Sequence, residues 1–169
     1  MGYVGLPLAV GLSKKYDVIG FDINSLRIED LKNAKDITNE LTKTDIACLK
    51  NIKLTFDEND LVEANQFIVT VPTPIKRNND PDLSYLIKAS ELVSKHIKKG
   101  THIIYESTVY PGATEEVCLP ILQKNTNLEF NQDFFLGYSP ERINPGDKKH
   151  KLENIVKVTS GSNDEAAEF

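Results

Sequence analysis

The sequence has no tryptophan, one methionine and two cysteines among its 169 residues. Two cysteines, Cys48 and Cys118, cannot frame a disulfide-rich fold, and they suit a reduced compartment, here the cytoplasm. Basic residues are also few, since 20 Lys and Arg against 25 Asp and Glu give a net charge of −5. This balance disfavours nucleic acids and anionic membranes as partners. No apolar run approaches the roughly 18 residues of a membrane helix, and we expect no signal peptide.

Several catalytic and metal-binding motifs are missing as well. The chain has no Walker A loop and no Gly-x-Ser-x-Gly elbow. His96, His102 and His150 are scattered, so we expect no metal site. Cys118 lies in an apolar segment and is predicted to be a small core residue rather than a nucleophile. What remains, 40% hydrophobic and 27% charged residues, is typical of a chain with a packed core.

The apolar pattern alternates between strand and helix periods along the whole chain. Strands are predicted at 17–22, 53–56, 66–71, 102–107, 134–139 and 155–159, and helices at 5–16, 25–33, 45–49, 57–64, 83–97, 111–123 and from 163 onward. This alternation predicts an α/β fold, a Rossmann-like doubly wound parallel sheet with helices on both faces. The chain opens in a turn, so the first strand of the fold is expected to be missing. That strand is central in the order 3-2-1-4-5-6, and its loss would leave backbone groups unpaired.

Two glycines and an acid form the first candidate site. Gly2 and Gly5 match the last half of a Gly-x-Gly-x-x-Gly turn, and Asp22 ends a strand 17 residues after Gly5. Gly2 would let the backbone approach a pyrophosphate, and the helix N-terminus would attract its charge. Asp22 could accept hydrogen bonds from both ribose hydroxyls and would repel a 2′-phosphate, which favours NAD over NADP. Alternatively, the glycines serve only a tight turn and Asp22 only ends a strand.

Further candidates lie beyond the ends of later strands. Arg27, one turn into the next helix, could stack on adenine or cover the ribose, or it could be a solvated surface side chain. Loops at 71–74, 106–112 and 138–146 follow strands at the end where open α/β sheets bind ligands. Their hydroxyl and charged groups suit a sugar or nicotinamide, although turn chemistry and helix capping explain their prolines and glycines.

Five segments together resemble the UDP-glucose/GDP-mannose dehydrogenase family. They are Gly2-Tyr3-Val4-Gly5-Leu6-Pro7, Phe21-Asp22-Ile23-Asn24, Val71-Pro72-Thr73-Pro74, Glu106-Ser107-Thr108-Val109-Tyr110-Pro111-Gly112 and Ser139-Pro140-Glu141-Arg142-Ile143-Asn144-Pro145-Gly146. The chain is most similar to the branch that acts on UDP-N-acetylhexosamines (galactosamine or glucosamine) and makes uronic acids for surface polysaccharides. The glucose-type enzymes carry a second acid four residues after Glu141, and that position is Pro145 here.

The resemblance implies an enzyme that uses two NAD to oxidise the C6 alcohol of a UDP-sugar to a carboxylate. A cysteine holds the thiohemiacetal and thioester intermediates. The residues at NAD-binding positions are Gly2, Tyr3, Val4, Gly5, Asp22, Arg27, Val71, Pro72, Thr73 and Thr108. Thr108 would also lie near the reaction centre. Glu141 matches a catalytic glutamate that assists thioester hydrolysis and contacts substrate, and Arg142 would contact substrate.

The resemblance covers only part of such an enzyme. The family's catalytic cysteine, its accompanying lysine and asparagine, the dimerising helix and the UDP-sugar domain all lie beyond this chain. We therefore expect residues 1–169 to be an incomplete NAD-binding domain, truncated at both ends and inactive alone, from a protein that forms a homodimer or higher oligomer. One alternative is a free-standing or vestigial NAD-binding module. Another is a 2-hydroxyacid or 6-phosphogluconate type of dehydrogenase, against which the 107–112 loop and Glu141-Arg142 argue.

Overall fold

The computed structural model describes residues 1–142 and 155–169. These residues divide into two compact units. The N-terminal unit comprises Met1–Glu63 together with Arg142, Ile155 and Val156, and the C-terminal unit comprises Ala64–Glu141 and Lys157–Phe169. That the whole chain makes one incomplete NAD-binding domain stays a prediction.

The N-terminal unit opens with a helix, as the sequence predicts. Its regular elements are α1 (Gly5–Leu12), β1 (Val18–Phe21), α2 (Ser25–Lys32), α3 (Lys43–Cys48) and β2 (Ile52–Thr55), with 3₁₀ turns at Leu49–Asn51 and Glu58–Glu63. Strands β1 and β2 pair in parallel, with Val18 opposite Ile52 and Phe21 opposite Thr55. Its core is made of Leu6, Ala9, Val10, Ile28, Leu31, Leu49, Ile52 and Leu54. Strand β2 contributes Ile52 and Leu54 to this core, and β1 packs against it through the partly buried Val18.

The C-terminal unit carries a larger sheet. Its elements are β3 (Gln66–Val69), α4 (Ser84–Ser94), β4 (Thr101–Tyr105), α5 (Leu119–Lys124), β5 (Phe134–Tyr138), β6 (Ser160–Gly161) and α6 (Asp164–Glu168). Strands β3, β4 and β5 are parallel neighbours in that order, and β6 pairs antiparallel with β5. Ile103, Tyr105 and Phe134 are at most 1% exposed. Each such apolar side chain contributes about 1.5–3 kcal/mol of burial free energy.

The strand predicted at 155–159 is wrong. The observed strand is the two-residue β6 at Ser160–Gly161, and Val156 and Val158 are 88% and 54% exposed. Between those valines, the Lys157 ammonium group pairs with the buried Glu106 carboxylate. Lys157, whose side chain is 20% exposed, is therefore more buried than the valine on either side of it.

The helix predicted at 111–123 begins later and is irregular. A π-helical turn at Thr114–Cys118 precedes the α-helical part, α5. Pro120 lies within the first two residues of α5, and a proline there has no N–H to donate to the preceding turn. The π turn is closed by the Leu119 N–H, which donates to the Thr114 carbonyl.

Candidate functional site

The first candidate site lies at the start of α1. Val4 is the residue before the helix, with a helical backbone (φ −94°, ψ −60°) and no side-chain cap. The Leu6 N–H donates to the Gly2 carbonyl at 3.1 Å, which closes the turn. Gly2 is exposed, and a Cβ atom added there would meet nothing within 4 Å. The surface beside the helix start is therefore open to an anionic ligand.

Asp22 lies beside this turn, immediately after β1. Its N–H donates to the Thr55 carbonyl at 3.2 Å, which continues the β1–β2 ladder. Its Oδ1 accepts from the Asn24 N–H at 2.8 Å, and its Oδ2 contacts the backbone nitrogen of Met1, the residue that precedes Gly2. The side chain is 19% exposed. The glycine turn and the acid that the sequence singles out are therefore neighbours.

Arg27 is buried, so the alternative of a solvated surface arginine is wrong. The residue is 6% exposed and lies in the first turn of α2, where the Asn24 side chain caps its N–H. Its Nε donates to the Met1 carbonyl at 2.9 Å, and its Nη2 donates to Asp36 Oδ1 at 2.9 Å. Its Nη1 is buried without a hydrogen-bond partner among the described residues. The guanidinium group therefore packs under the glycine turn.

Asp36 is a functional candidate that the sequence analysis missed. Its side chain is 2% exposed and accepts five hydrogen bonds, from the Arg27 guanidinium, the Thr38 N–H and hydroxyl, and the N–H groups of Glu40 and Leu41. Burial alone would raise the pKa of this carboxyl, but the bonds from Thr38, Arg27 and Leu41 outweigh it and lower the pKa to about 2. The Asp-x-Thr spacing, which is typical of an Asx-type turn, is the only sequence signal that could have found it.

In the C-terminal unit, the loops after β3 and β4 are joined by hydroxyl groups. The Ser107 hydroxyl donates to the Val71 carbonyl at 2.7 Å, and the Thr73 hydroxyl donates to the Thr108 carbonyl at 2.5 Å. Thr108 itself is exposed, as is Pro72. The predicted residues of these two loops are therefore brought together at one edge of the sheet.

The loop after β5 begins at the same edge. The Ser139 N–H donates to the Tyr105 carbonyl at 3.0 Å, which extends the β4–β5 ladder by one residue. Glu141 is half-buried in this unit, whereas Arg142 is exposed and belongs to the N-terminal unit. The rest of the predicted loop, 143–146, lies outside the described residues.

Two pairs of polar side chains interact elsewhere in this unit. Glu106, 5% exposed at the end of β4, pairs with Lys157, and burial lowers the pKa of that ammonium group. The Ser90 and Tyr105 hydroxyls are 2.7 Å apart. Cys118 is fully buried, and burial raises the pKa values of both its thiol and the Tyr105 hydroxyl. The prediction that Cys118 is a core residue is confirmed.

Residues 1–142 and 155–169 contain neither a membrane-spanning helix nor a cluster of metal-binding side chains. No helix there is both long enough and apolar enough to cross a bilayer. In the same stretch, no group of three or more His, Cys, Asp or Glu side chains is arranged to hold a metal ion.

Comparison with known sequences identifies the family. A sequence model for the UDP-glucose/GDP-mannose dehydrogenase family, NAD binding domain, matches residues 1–168. The chain belongs to this family. Its family membership and the Rossmann-like NAD-binding fold are therefore confirmed, and NAD is the cofactor of the matched domain.

Individual relatives in the UDP-glucose/GDP-mannose dehydrogenase family support the match over the whole chain. The chain is 56% identical to the UDP-N-acetyl-D-glucosamine 6-dehydrogenase of Pseudomonas aeruginosa and 55% identical to protein CapL of Staphylococcus aureus. In each comparison the match covers all of this chain and 40% of the relative. The structure of a UDP-D-ManNAc dehydrogenase from Pyrococcus horikoshii superposes with a TM-score of 0.87 at 33% identity, covering 99% of this chain and 41% of that one. The chain thus spans about two fifths of the length of these relatives.

Proposed function

We propose that this chain binds NAD and supplies the cofactor-binding part of a UDP-N-acetylhexosamine 6-dehydrogenase. The observation that carries the first half is the position of Asp22, whose carboxylate lies beside the open start of α1. A pyrophosphate at the α1 N-terminus would leave its adenosine ribose within reach of an acid in that position. The second half rests on the 56% identity to a UDP-N-acetyl-D-glucosamine 6-dehydrogenase.

Different residues of the N-terminal unit would contact different parts of the adenosine half of NAD. The backbone of Gly2, Tyr3, Val4 and Gly5 would receive the pyrophosphate, since Gly2 leaves open space and the Val4 side chain is buried. Asp22 would accept from the ribose hydroxyls. Arg27 would contact the cofactor from the protein side of the glycine turn, because its guanidinium is buried there. Nη1 is the guanidinium nitrogen without a hydrogen-bond partner among the described residues.

Residues of the C-terminal unit would contact the nicotinamide half. Val71, Pro72 and Thr73 would line the cofactor, and Thr108, whose carbonyl accepts from Thr73, would lie near the reacting carbon. We propose that Glu141 directs the water that hydrolyses the thioester intermediate and contacts substrate, and that Arg142 binds substrate.

In a protein of its relatives' full length, the reaction would oxidise a primary alcohol to a carboxylate. That change removes four electrons, so two NAD accept one hydride each, and one water supplies the second oxygen. We propose a cytoplasmic homodimer or higher homo-oligomer that makes a UDP-uronate for surface polysaccharide synthesis.

A binding measurement on the 169-residue chain tests the cofactor proposal. We expect saturable NAD binding by calorimetry or ligand-observed NMR, weakened at least about tenfold in Asp22→Asn because a charged hydrogen-bond partner is lost. Asp17→Asn is the matched control, since Asp17 is an exposed acid just before β1 while Asp22 lies just after it. Equal NAD affinity in all three proteins would refute the role of Asp22.

A turnover assay separates the cofactor-binding proposal from complete catalysis. Among the described residues, Cys118 is fully buried and the Cys48 thiol donates to the Thr44 backbone carbonyl rather than to a side-chain base. We expect no NADH from UDP-N-acetylglucosamine and NAD with this chain alone. NADH formation above the no-enzyme rate would contradict the proposal that catalysis needs the longer protein.

A further inference from the structure

The loop that follows α2 is organised around one carboxylate, Asp36. Its side chain is 2% exposed, and both of its oxygens are used: Oδ1 accepts from Arg27 and Thr38, and Oδ2 accepts from the Glu40 and Leu41 N–H groups at 2.9 and 3.1 Å. Burying a carboxylate is costly unless an opposite charge pairs with it. Its charged partner is Arg27.

The Arg27–Asp36 pair lies close to the acid proposed to bind ribose. Met1 links the two, because its backbone nitrogen contacts Asp22 Oδ2 and its carbonyl accepts from Arg27 Nε at 2.9 Å. Asn24 also links them, since its N–H donates to Asp22 and its side chain caps the Arg27 N–H. Arg27 is therefore linked through Met1 and Asn24 to Asp22, the acid proposed to accept from the ribose hydroxyls.

An arginine near the ribose 2′-oxygen is the feature by which Rossmann domains accept a 2′-phosphate, since the guanidinium fork matches phosphate geometry. In this chain the guanidinium is already engaged: Nε donates to Met1, and Nη2 donates to Asp36. Nη1 has no partner among the described residues. A guanidinium released from Asp36 would therefore have both Nη1 and Nη2 to donate to a phosphate.

We propose that Asp36 is a specificity-determining residue, which favours NAD over NADP by holding the Arg27 guanidinium away from a 2′-phosphate. This inference rests on the proposed NAD binding, and it gives a second acid a role in discriminating NAD from NADP. Asp22 repels the 2′-phosphate directly, and Asp36 acts through Arg27.

The test compares the ratio of the NADP Kd to the NAD Kd in wild type and Asp36→Asn, by saturation-transfer NMR with each dinucleotide. We expect the ratio to fall at least about tenfold in Asp36→Asn, since one charged hydrogen bond to phosphate becomes available. Asp30→Asn removes an equal charge from α2, the helix that carries Arg27, where Asp30 pairs with the exposed Lys35, and it should leave the ratio unchanged. Circular dichroism checks that each variant is folded.

A double variant isolates the route through Arg27. In an Arg27→Gln background, adding Asp36→Asn should no longer change the ratio, whereas a merely structural effect would persist. If Asp36→Asn does not fold, Thr38→Ala replaces it, because it removes a hydroxyl that donates to Asp36 at 2.6 Å, and we expect a smaller fall in the same direction.

The outcomes distinguish this inference from the proposed function. Wild type that binds NAD, with a ratio that neither variant lowers, overturns the role of Asp36 alone. A fall that persists in the Arg27→Gln background overturns the route through Arg27. Wild type that binds no NAD overturns the proposed function and this inference together.

Discussion

The N-terminal unit holds its candidate site with charged side chains, whereas the C-terminal unit holds its loops mainly with hydroxyl groups. Around Asp22, the Arg27–Asp36 pair is almost fully buried. At the ends of β3 and β4, the hydroxyls of Thr73 and Ser107 donate to backbone carbonyls instead. The difference teaches that the two candidate sites should respond to different changes: the first to loss of charge, and the second to loss of hydroxyl partners.

The first prediction concerns packing in the C-terminal unit. Phe134→Ala removes a fully buried ring from β5 and should lower the free energy of unfolding by about 3–5 kcal/mol. The measurement is urea unfolding followed by circular dichroism. Phe56→Ala in the N-terminal unit is the control, because Phe56 is 55% exposed and should change stability by at most about 0.5 kcal/mol. Equal losses of stability in the two variants would contradict the stabilising role of the buried Phe134 ring.

The second prediction concerns charge in the N-terminal unit. The pKa of Asp36 falls from 3.8 to about 2 on folding, so its stabilisation is present above pH 3.8 and is lost as the pH falls toward 2. The loss should amount to about 2 kcal/mol. The measurement is the free energy of unfolding of wild type and Asp36→Asn at several pH values between 5 and 2. The wild-type value should fall more steeply with decreasing pH than that of the variant. Parallel pH profiles would contradict the burial of a charged Asp36.

The third prediction concerns the buried hydroxyls of the C-terminal unit. Tyr105→Phe and Ser90→Ala should each cost about 1–3 kcal/mol, because each leaves the other hydroxyl without its 2.7 Å partner. The double variant should cost less than the sum of the two, which unfolding of all four proteins would measure. Strict additivity would mean that the two hydroxyls do not interact.

Sequence patterns predict the parts of the molecule that depend on local periodicity. Asp22 could be found because it ends an apolar strand at a set distance from Gly5. The burial of Arg27 could not be predicted, because its partner Asp36 lies nine residues away in a loop without periodicity. The strand predicted at 155–159 failed for a similar reason. Its Lys157 pairs with Glu106, 51 residues earlier, and no local pattern encodes that contact.

Titration of the ¹⁵N-labelled chain with NAD, followed by amide NMR, tests the central claim most directly. We predict shifts with one common Kd at the amides of Gly2, Gly5, Asp22, Val71, Thr73 and Thr108. Amides far from these loops, such as those of α6, should not move. Saturating NAD that leaves Gly2 and Asp22 unshifted would contradict the account.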